Sequence, residues 1–230
     1  AGPLPGGLAG PAAPRCSLTG PTGNRVPAVH VAPLMQKQWR NRILGGLPPG
    51  EMRQVAKHAR LADLSRKHIL FASGQRIDQI CFPETCVVSL TVELPEGRDV
   101  DGAAIGYEGA VGIGGTLAKD FSFTNQTVQV AGAATMISRE GILELQEACP
   151  VFADRLASYR DVFAAYVLQS LACALAHGAH ERLARLLLQL QDRTSSANVA
   201  LTHDALSAIV GTSRPTMSLL VRSFENASLI

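Results

Sequence analysis

From Gln36 onward, apolar and polar positions alternate in patterns that change character along the chain, and each change marks a predicted element. The segment NRILGGLPPGEMRQVAKHARL places Ile43, Leu44, Leu47, Met52, Val55 and Leu61 at helix-like spacings. Pro48-Pro49-Gly50 interrupts it, so the pattern predicts two short helices. Residues 64–138 then break into short β-like runs: HILFAS, QICFP, CVVSLTVEL, VDGAAIGY, AVGIG, TVQVAG and ATMIS. Turn residues recur every 8–12 positions or so, as in an all-β roll or barrel. Pro95-Glu96-Gly97-Arg98 predicts a hairpin turn between CVVSLTVEL and VDGAAIGY.

After Ser138 the period becomes helical. REGILELQEACP predicts a short helix ended by Pro150, and residues 151–178 a long one. Along the long helix Phe152, Leu156, Tyr159, Phe163, Tyr166, Ser170 and Cys173 fall at alternating four/three spacing. Such a seam suits pairing with a second copy, and the same spacing also suits a core helix of its own domain. Ala164, Ala165, Ser170, Ala172 and Ala174 are small enough to let two helices approach closely. HERLARLLLQLQDR predicts a further amphipathic helix with Leu183, Leu186, Leu187 and Leu190 on one face.

The last thirty residues carry the most specific pattern. Thr202 can cap a helix running through Ile209, Gly211 fits a tight turn, and Ser213 can cap the next helix. Pro215 is tolerated in that helix's first turn, where backbone N–H groups lack intrahelical partners. Leu206, Ile209, Val210, Met217, Leu220, Val221 and Phe224 would pack the two helices together. This is a helix-turn-helix pattern, although an ordinary helical hairpin shares its apolar spacing. The short or fork-shaped polar groups at the second helix's start favour DNA: Thr212, Ser213, Arg214, Thr216 and Ser218, with Thr202 nearby. Arg214 could grip O6 and N7 of a guanine, while hydroxyls and the helix N-terminus hold phosphates.

These residues resemble the cyclic-AMP receptor protein and fumarate-nitrate reduction regulator (Crp/Fnr) family from about Asn41 to Ile230. The likeness is carried by LTHDALSAIVGTSRPTMSLLVRSFENASLI, by HGAHERLARLLLQLQDR, and by IDQICFPETCVVSLTVELPEGRDVDGAAIGYEGAVGIGG in the roll. It implies an α+β fold: a cyclic-nucleotide-binding-like β-roll, a long dimerisation helix, then a C-terminal winged helix-turn-helix domain. The domains expected are a disordered tail at 1–35, a β-roll sensor at 36–150, the dimerisation helix at 151–180 and the DNA reader at 181–230. A homodimeric, cytoplasmic transcription regulator of a pseudo-palindromic operator follows, with RNA polymerase as a further partner. Activation and repression both remain open. On this reading the long helix's four/three seam is the dimer interface.

Three departures qualify the likeness. Nucleotide-binding members carry Gly-Glu-Leu and then Arg-Ser/Thr-Ala; here GYEGAVGIGGTLAKDFSFTNQTVQVAG keeps only Glu108, Gly109 and other glycines. Glu108 and Gly109 are the residual effector candidates, but no Arg meets a cyclic phosphate, so cyclic AMP is not expected. The oxygen-sensing branch holds iron and sulfur on clustered cysteines, whereas Cys16, Cys81, Cys86, Cys149 and Cys173 are scattered. No iron–sulfur centre or other cofactor is expected, and Cys81 and Cys86 read as small buried hydrophobes. Finally, Ser-Arg-Pro-Thr replaces the Ser-Arg-Glu-Thr of the cyclic-AMP receptor branch, and Leu219 replaces a further base-reading Arg. The operator should differ accordingly.

Composition narrows the alternatives. The chain has 230 residues, net charge +2, and 47% hydrophobic positions, so most of it can bury a core. Residues 1–35 are the exception, holding 13 of the 34 Gly and Pro residues with no apolar period. Met35 stands where folded text begins, so the preceding residues read as a leader or read-through, and the family's two-stranded wing is expected beyond Ile230. No apolar run is long enough to span a membrane. No enzyme is expected, since neither G-x-S-x-G nor a phosphate loop occurs. The alternative is a ligand-binding signalling module or cupin-like metal protein whose C-terminal helices bind protein. A cupin needs several strand-borne histidines, and of His30, His58, His68, His177, His180 and His203 only His68 lies near a strand. His177 and His180 stand one helical turn apart, a spacing compatible with metal.

Overall fold

A computed structural model of the chain describes residues 39–95, 99–113, 121–194 and 201–230. The expected tail and three of the four expected hairpin-turn residues, 96–98, lie outside them. Asn41–Gly46 forms a tight turn rather than a helix, with Gly45 N–H donating to Asn41 O. Asn41 is the reason: its Oδ1 accepts from the backbone of Ile43 and its Nδ2 donates to the carbonyls of Pro83 and Gly109. A side chain that satisfies local backbone in this way competes with helix. Helix α1 (Pro49–His58) follows, with Pro49 in the first turn where no N–H is missed.

Seven strands build the roll: β1 (Ala59–Leu64), β2 (Ile69–Phe71), β3 (Gln79–Pro83), β4 (Val87–Glu93), β5 (Asp99–Ile105), β6 (Asn125–Val130) and β7 (Gly132–Ser138). They form two antiparallel sheets, ordered β1-β7-β3 and β2-β6-β4-β5. Leu61, expected on a helix, belongs to β1 and pairs with Thr135. The run AVGIG is not a strand; Val111 makes only an isolated bridge to Cys81.

The β4–β5 pair has two buried faces. Val88, Ile105 and, from β6, Val128 point into the roll's core with Ile80, Phe82 and Ile137. Val87 and Ala104 join a second core built by the C-terminal helices. A strand buried on both sides reads as a continuous apolar run, as CVVSL does here.

Helix α2 (Arg139–Ala148), capped by Ser138, leads into α3 (Pro150–Ala176). The start of α3 lacks its own side-chain cap, and Glu51 of α1 supplies one: its carboxylate accepts from Val151 N–H and Phe152 N–H at 3.0 and 2.8 Å. The four/three seam does not face outward. Phe152 and Leu156 are fully buried in the roll's own core, and Tyr159 and Phe163 pack against it. Tyr166 and Ser170 face α4 (Ala179–Thr194), where the Arg185 guanidinium sits over the Tyr166 ring and donates to Ser170 Oγ at 3.1 Å. Cys173 is buried too. Within the chain, Phe152, Leu156, Tyr159 and Phe163 of the expected seam are thus packed against the roll's core. What α3 exposes lies opposite: Ala157, Asp161, Ala164, Leu168, Leu171 and Leu175, again at four/three spacing.

Helices α5 (His203–Val210) and α6 (Arg214–Asn226) end the chain described. Leu183, Leu186 and Leu190 of α4 close over Leu206, Val210, Met217, Val221 and Phe224. Among the described residues, no helix is long and apolar enough to cross a membrane.

Candidate nucleic-acid interface

Local chemistry sets the angle between α5 and α6. Thr202 caps α5, its Oγ1 accepting from Ala205 N–H at 3.2 Å. The helix stops at Gly211, whose φ of 71° is left-handed backbone that glycine adopts without Cβ strain. Thr212 N–H then closes on Ser207 O, which leaves the Thr212 side chain half-buried in the turn. Ser213 caps α6 by accepting from Thr216 N–H, and its Oγ lies 2.8 Å from Thr216 Oγ1. Met217, Val221 and Phe224 turn inward, so the opposite stripe is held outward by the packing itself.

The first turn of α6 and its cap present Ser213, Arg214 and Thr216 to solvent, with Ser218 half-exposed one turn on and Leu219 exposed on the face opposite Met217. Arg214 Nε lies 3.0 Å from Asp204 Oδ1, and both side chains are about two-thirds or more exposed, at 71% and 67%. A pair this exposed is weak and exchanges readily for another anion. Ser218 Oγ stands 3.1 Å from His203 Nδ1, tying the recognition stripe to the start of α5. Arg222, one turn beyond Ser218 and exposed, extends the stripe. Sequence reasoning passed over it, although its i+8 spacing from Arg214 places both guanidinium groups on one face.

The residual effector candidates stand elsewhere. Glu108 Oε1 accepts from Arg193 Nε at 2.7 Å and from Gly106 N–H at 3.1 Å, joining the roll to α4. Gly109 is fixed by close approach: a Cβ there would fall 2.3 Å from Tyr159 Oη. The two residues hold α3 and α4 against the roll, and Glu108 also lines a pocket of about 390 Å³ with Arg42, Tyr107, Gln189, Asp192 and Arg193. Sequence reasoning did not find the Glu108 partner, which lies 85 residues away.

Cys81, Cys86, Cys149 and Cys173 are free and buried. The hydrogen bond that the Cys81 thiol donates to Cys86, with burial, pushes the Cys81 thiol up, away from the reactive thiolate. His180 stacks on Phe224 with ring centroids 4.6 Å apart, packing α4 against α6. Among the described residues, no three His, Cys, Asp or Glu side chains cluster as metal ligands would.

The chain thus runs from a β-roll through a long helix to a helix-turn-helix. Residues 181–230 match the family model of the Crp-like helix-turn-helix domain. The fold is similar to the c-di-GMP-responsive global regulator CLP of Xanthomonas campestris, with 16% identity, TM-score 0.61, and coverage of 79% of this chain and 94% of that one. It is also similar to FixK2 of Bradyrhizobium japonicum, with 14% identity, TM-score 0.60, and coverage of 74% and 86%. A Crp/Fnr family regulator of Eubacterium rectale gives 10% identity, TM-score 0.62, and coverage of 79% and 85%. No curated protein matches the chain by sequence. The chain has the fold of the Crp/Fnr regulators, and its C-terminal end is a Crp-like helix-turn-helix domain.

Proposed function

We propose that the protein is a DNA-binding transcription regulator that reads a pseudo-palindromic operator as a homodimer. The observation that carries this reading is the outward stripe of α6, where Arg214, Thr216, Ser218 and Arg222 project from a helix capped and packed as a reader. Arg214 reads a guanine edge; Ser213, Thr216 and the α6 N-terminus hold phosphates, with Thr202 and Thr212 bracing the turn.

The exposed α3 stripe from Ala157 to Leu175 supports dimerisation, since a helix apolar on opposite faces needs cover on both. Leu168, Leu171 and Leu175 are 67%, 56% and 81% exposed, which is costly to leave in water. Two readers must then sit about 34 Å apart to enter successive major grooves. A signal at the roll reaches them through α3 and the Arg193–Glu108 contact, shifting the spacing of the two α6 helices. RNA polymerase is the further partner of such a regulator.

The test is gel-shift titration of the purified protein on the DNA upstream of its own gene, across a salt series. Affinity should fall steeply with salt, because each phosphate contact releases counterions. A shift that ignores salt, or no shift at all, would defeat the proposal.

A further inference from the structure

A cavity of about 320 Å³ opens inside the roll, at the low end of the roughly 300–1,000 Å³ typical of small-molecule sites. Ile77, Leu90, Ile105 and Ile113 form its walls, and Phe163 of α3 its floor. Phe121 and Phe123 stand at its mouth, 48% and 73% exposed. Apolar rings held in water at the rim of an apolar cavity favour an apolar occupant.

The polar groups of the cavity select further. Tyr159 Oη accepts from the Ala110 backbone N–H, and burial keeps the phenol protonated. Arg160 has a partner within the protein. Ser122 Oγ donates to Thr124 O at 2.6 Å, so it can only accept from Gln126 Nε2 at 2.9 Å. This fixes the orientation of the Gln126 amide and leaves Oε1 buried without a donor, with Gln126 only 6% exposed. A buried acceptor without a partner is left dry at a cost, so a ligand that donates to it gains affinity. An ionised phosphate or carboxylate would instead lose its hydration against walls that are mostly apolar, Arg160 apart, and Arg160 already has a partner.

We infer that the roll binds an uncharged, largely apolar small molecule carrying one hydrogen-bond donor, which meets Gln126 Oε1. This deepens the regulator reading and rests on it for the consequence of binding, not for the binding itself. The molecule is the signal that the roll passes to α3, because Tyr159 and Phe163 line the cavity directly.

The test uses N-phenyl-1-naphthylamine, an uncharged aromatic fluorophore with a single N–H, titrated into the full chain. Saturable one-to-one binding is expected. Its 8-sulfonate analogue, the same frame with a charge, should bind at least about tenfold more weakly. Gln126→Leu should weaken the amine about fivefold while leaving its N-methyl derivative unaffected. Leu90→Trp should fill the cavity and abolish binding, whereas Leu143→Ser on the exposed face of α2 should not change it. Equal binding of the sulfonate, displacement by cyclic AMP, or loss with Leu143→Ser alone would overturn the proposal. If Leu90→Trp fails to fold, the donor-selective loss in Gln126→Leu decides. The salt-dependent gel shift on the same sample, without fluorophore, reports separately on the regulator reading.

Discussion

The two faces of α3 carry the same four/three spacing and opposite fates. The inner face bears Phe152, Leu156, Tyr159 and Phe163, and it completes the core of its own roll. The outer face bears Ala157, Ala164, Leu168, Leu171 and Leu175, and nothing among the described residues covers it. Large rings fill a deep, irregular gap between sheet and helix, while alanine and leucine suit a straight seam between two helices. Periodicity detects a seam without saying whose partner it faces; the volume of the residues in it says more.

The sharpest break between the faces is energetic. Phe152→Ala should cost about 3–5 kcal/mol, seen as a lower unfolding midpoint at every protein concentration, because the lost contacts are intramolecular. Leu171→Glu should instead abolish self-association, halving the mass seen by sedimentation. It should also remove any dependence of the midpoint on protein concentration. A concentration-independent midpoint in the unaltered protein would leave the outer face without its partner.

A third surface of α3 can be probed by pH. Beyond Phe163, the helix turns Tyr166, Ser170 and Cys173 toward a cleft shared with β5 and α5, where Asp101 is half-buried. Burial lifts the Asp101 carboxyl from 3.8 to about 6, against the opposing effects of a hydrogen bond from Ser89, the Ala103 backbone and the charge of Arg193. Ser89 Oγ donates to it at 2.7 Å. The folded state therefore holds a proton that the unfolded chain has released, and stability falls as pH rises through about 6. For a shift of about two units the loss is about 3 kcal/mol, complete above the folded value and absent below the unfolded one. Asp101→Asn should flatten the stability profile between about pH 4 and pH 7. An unchanged profile would mean that the carboxyl is better solvated than this cleft allows.

How much of this was legible in the sequence follows the range of the causes. The helix-turn-helix could be read residue by residue, since Thr202, Gly211, Ser213 and Pro215 act within a few positions of themselves. The roll was legible as a set of short strands, apart from β1, whose ARLADL continues a helical pattern. Its pairing with β7, more than seventy residues on, turns it into a strand. The fate of the α3 seam and the role of Glu108 were not legible, because a distant sheet decides the first and Arg193 the second. Asn41 shows the same limit at short range, its amide trading a predicted helix for a turn that ties it to Pro83 and Gly109.

The reader itself offers a finer contrast, between residues that build α6 and those that α6 displays. Arg214→Ala should relax specificity at one base pair, costing about 1–3 kcal/mol of discrimination in competition gel shifts, with folding stability unchanged. Uniform loss across all operator variants would make Arg214 a phosphate contact instead.

Asp204 should have the smallest effect. Its pair with Arg214 is exposed on both sides, so Asp204→Ala should alter folding stability by less than about 0.5 kcal/mol. In binding, Arg214 must leave that carboxylate to reach a base, and the carboxylate itself stands beside incoming phosphates. Removing it should therefore tighten DNA binding at low salt, with the gain fading as salt screens the repulsion. Weaker binding in Asp204→Ala would reverse the argument: the carboxylate would then be the group that aims Arg214, and the pair would belong to the displayed face rather than to the free protein alone.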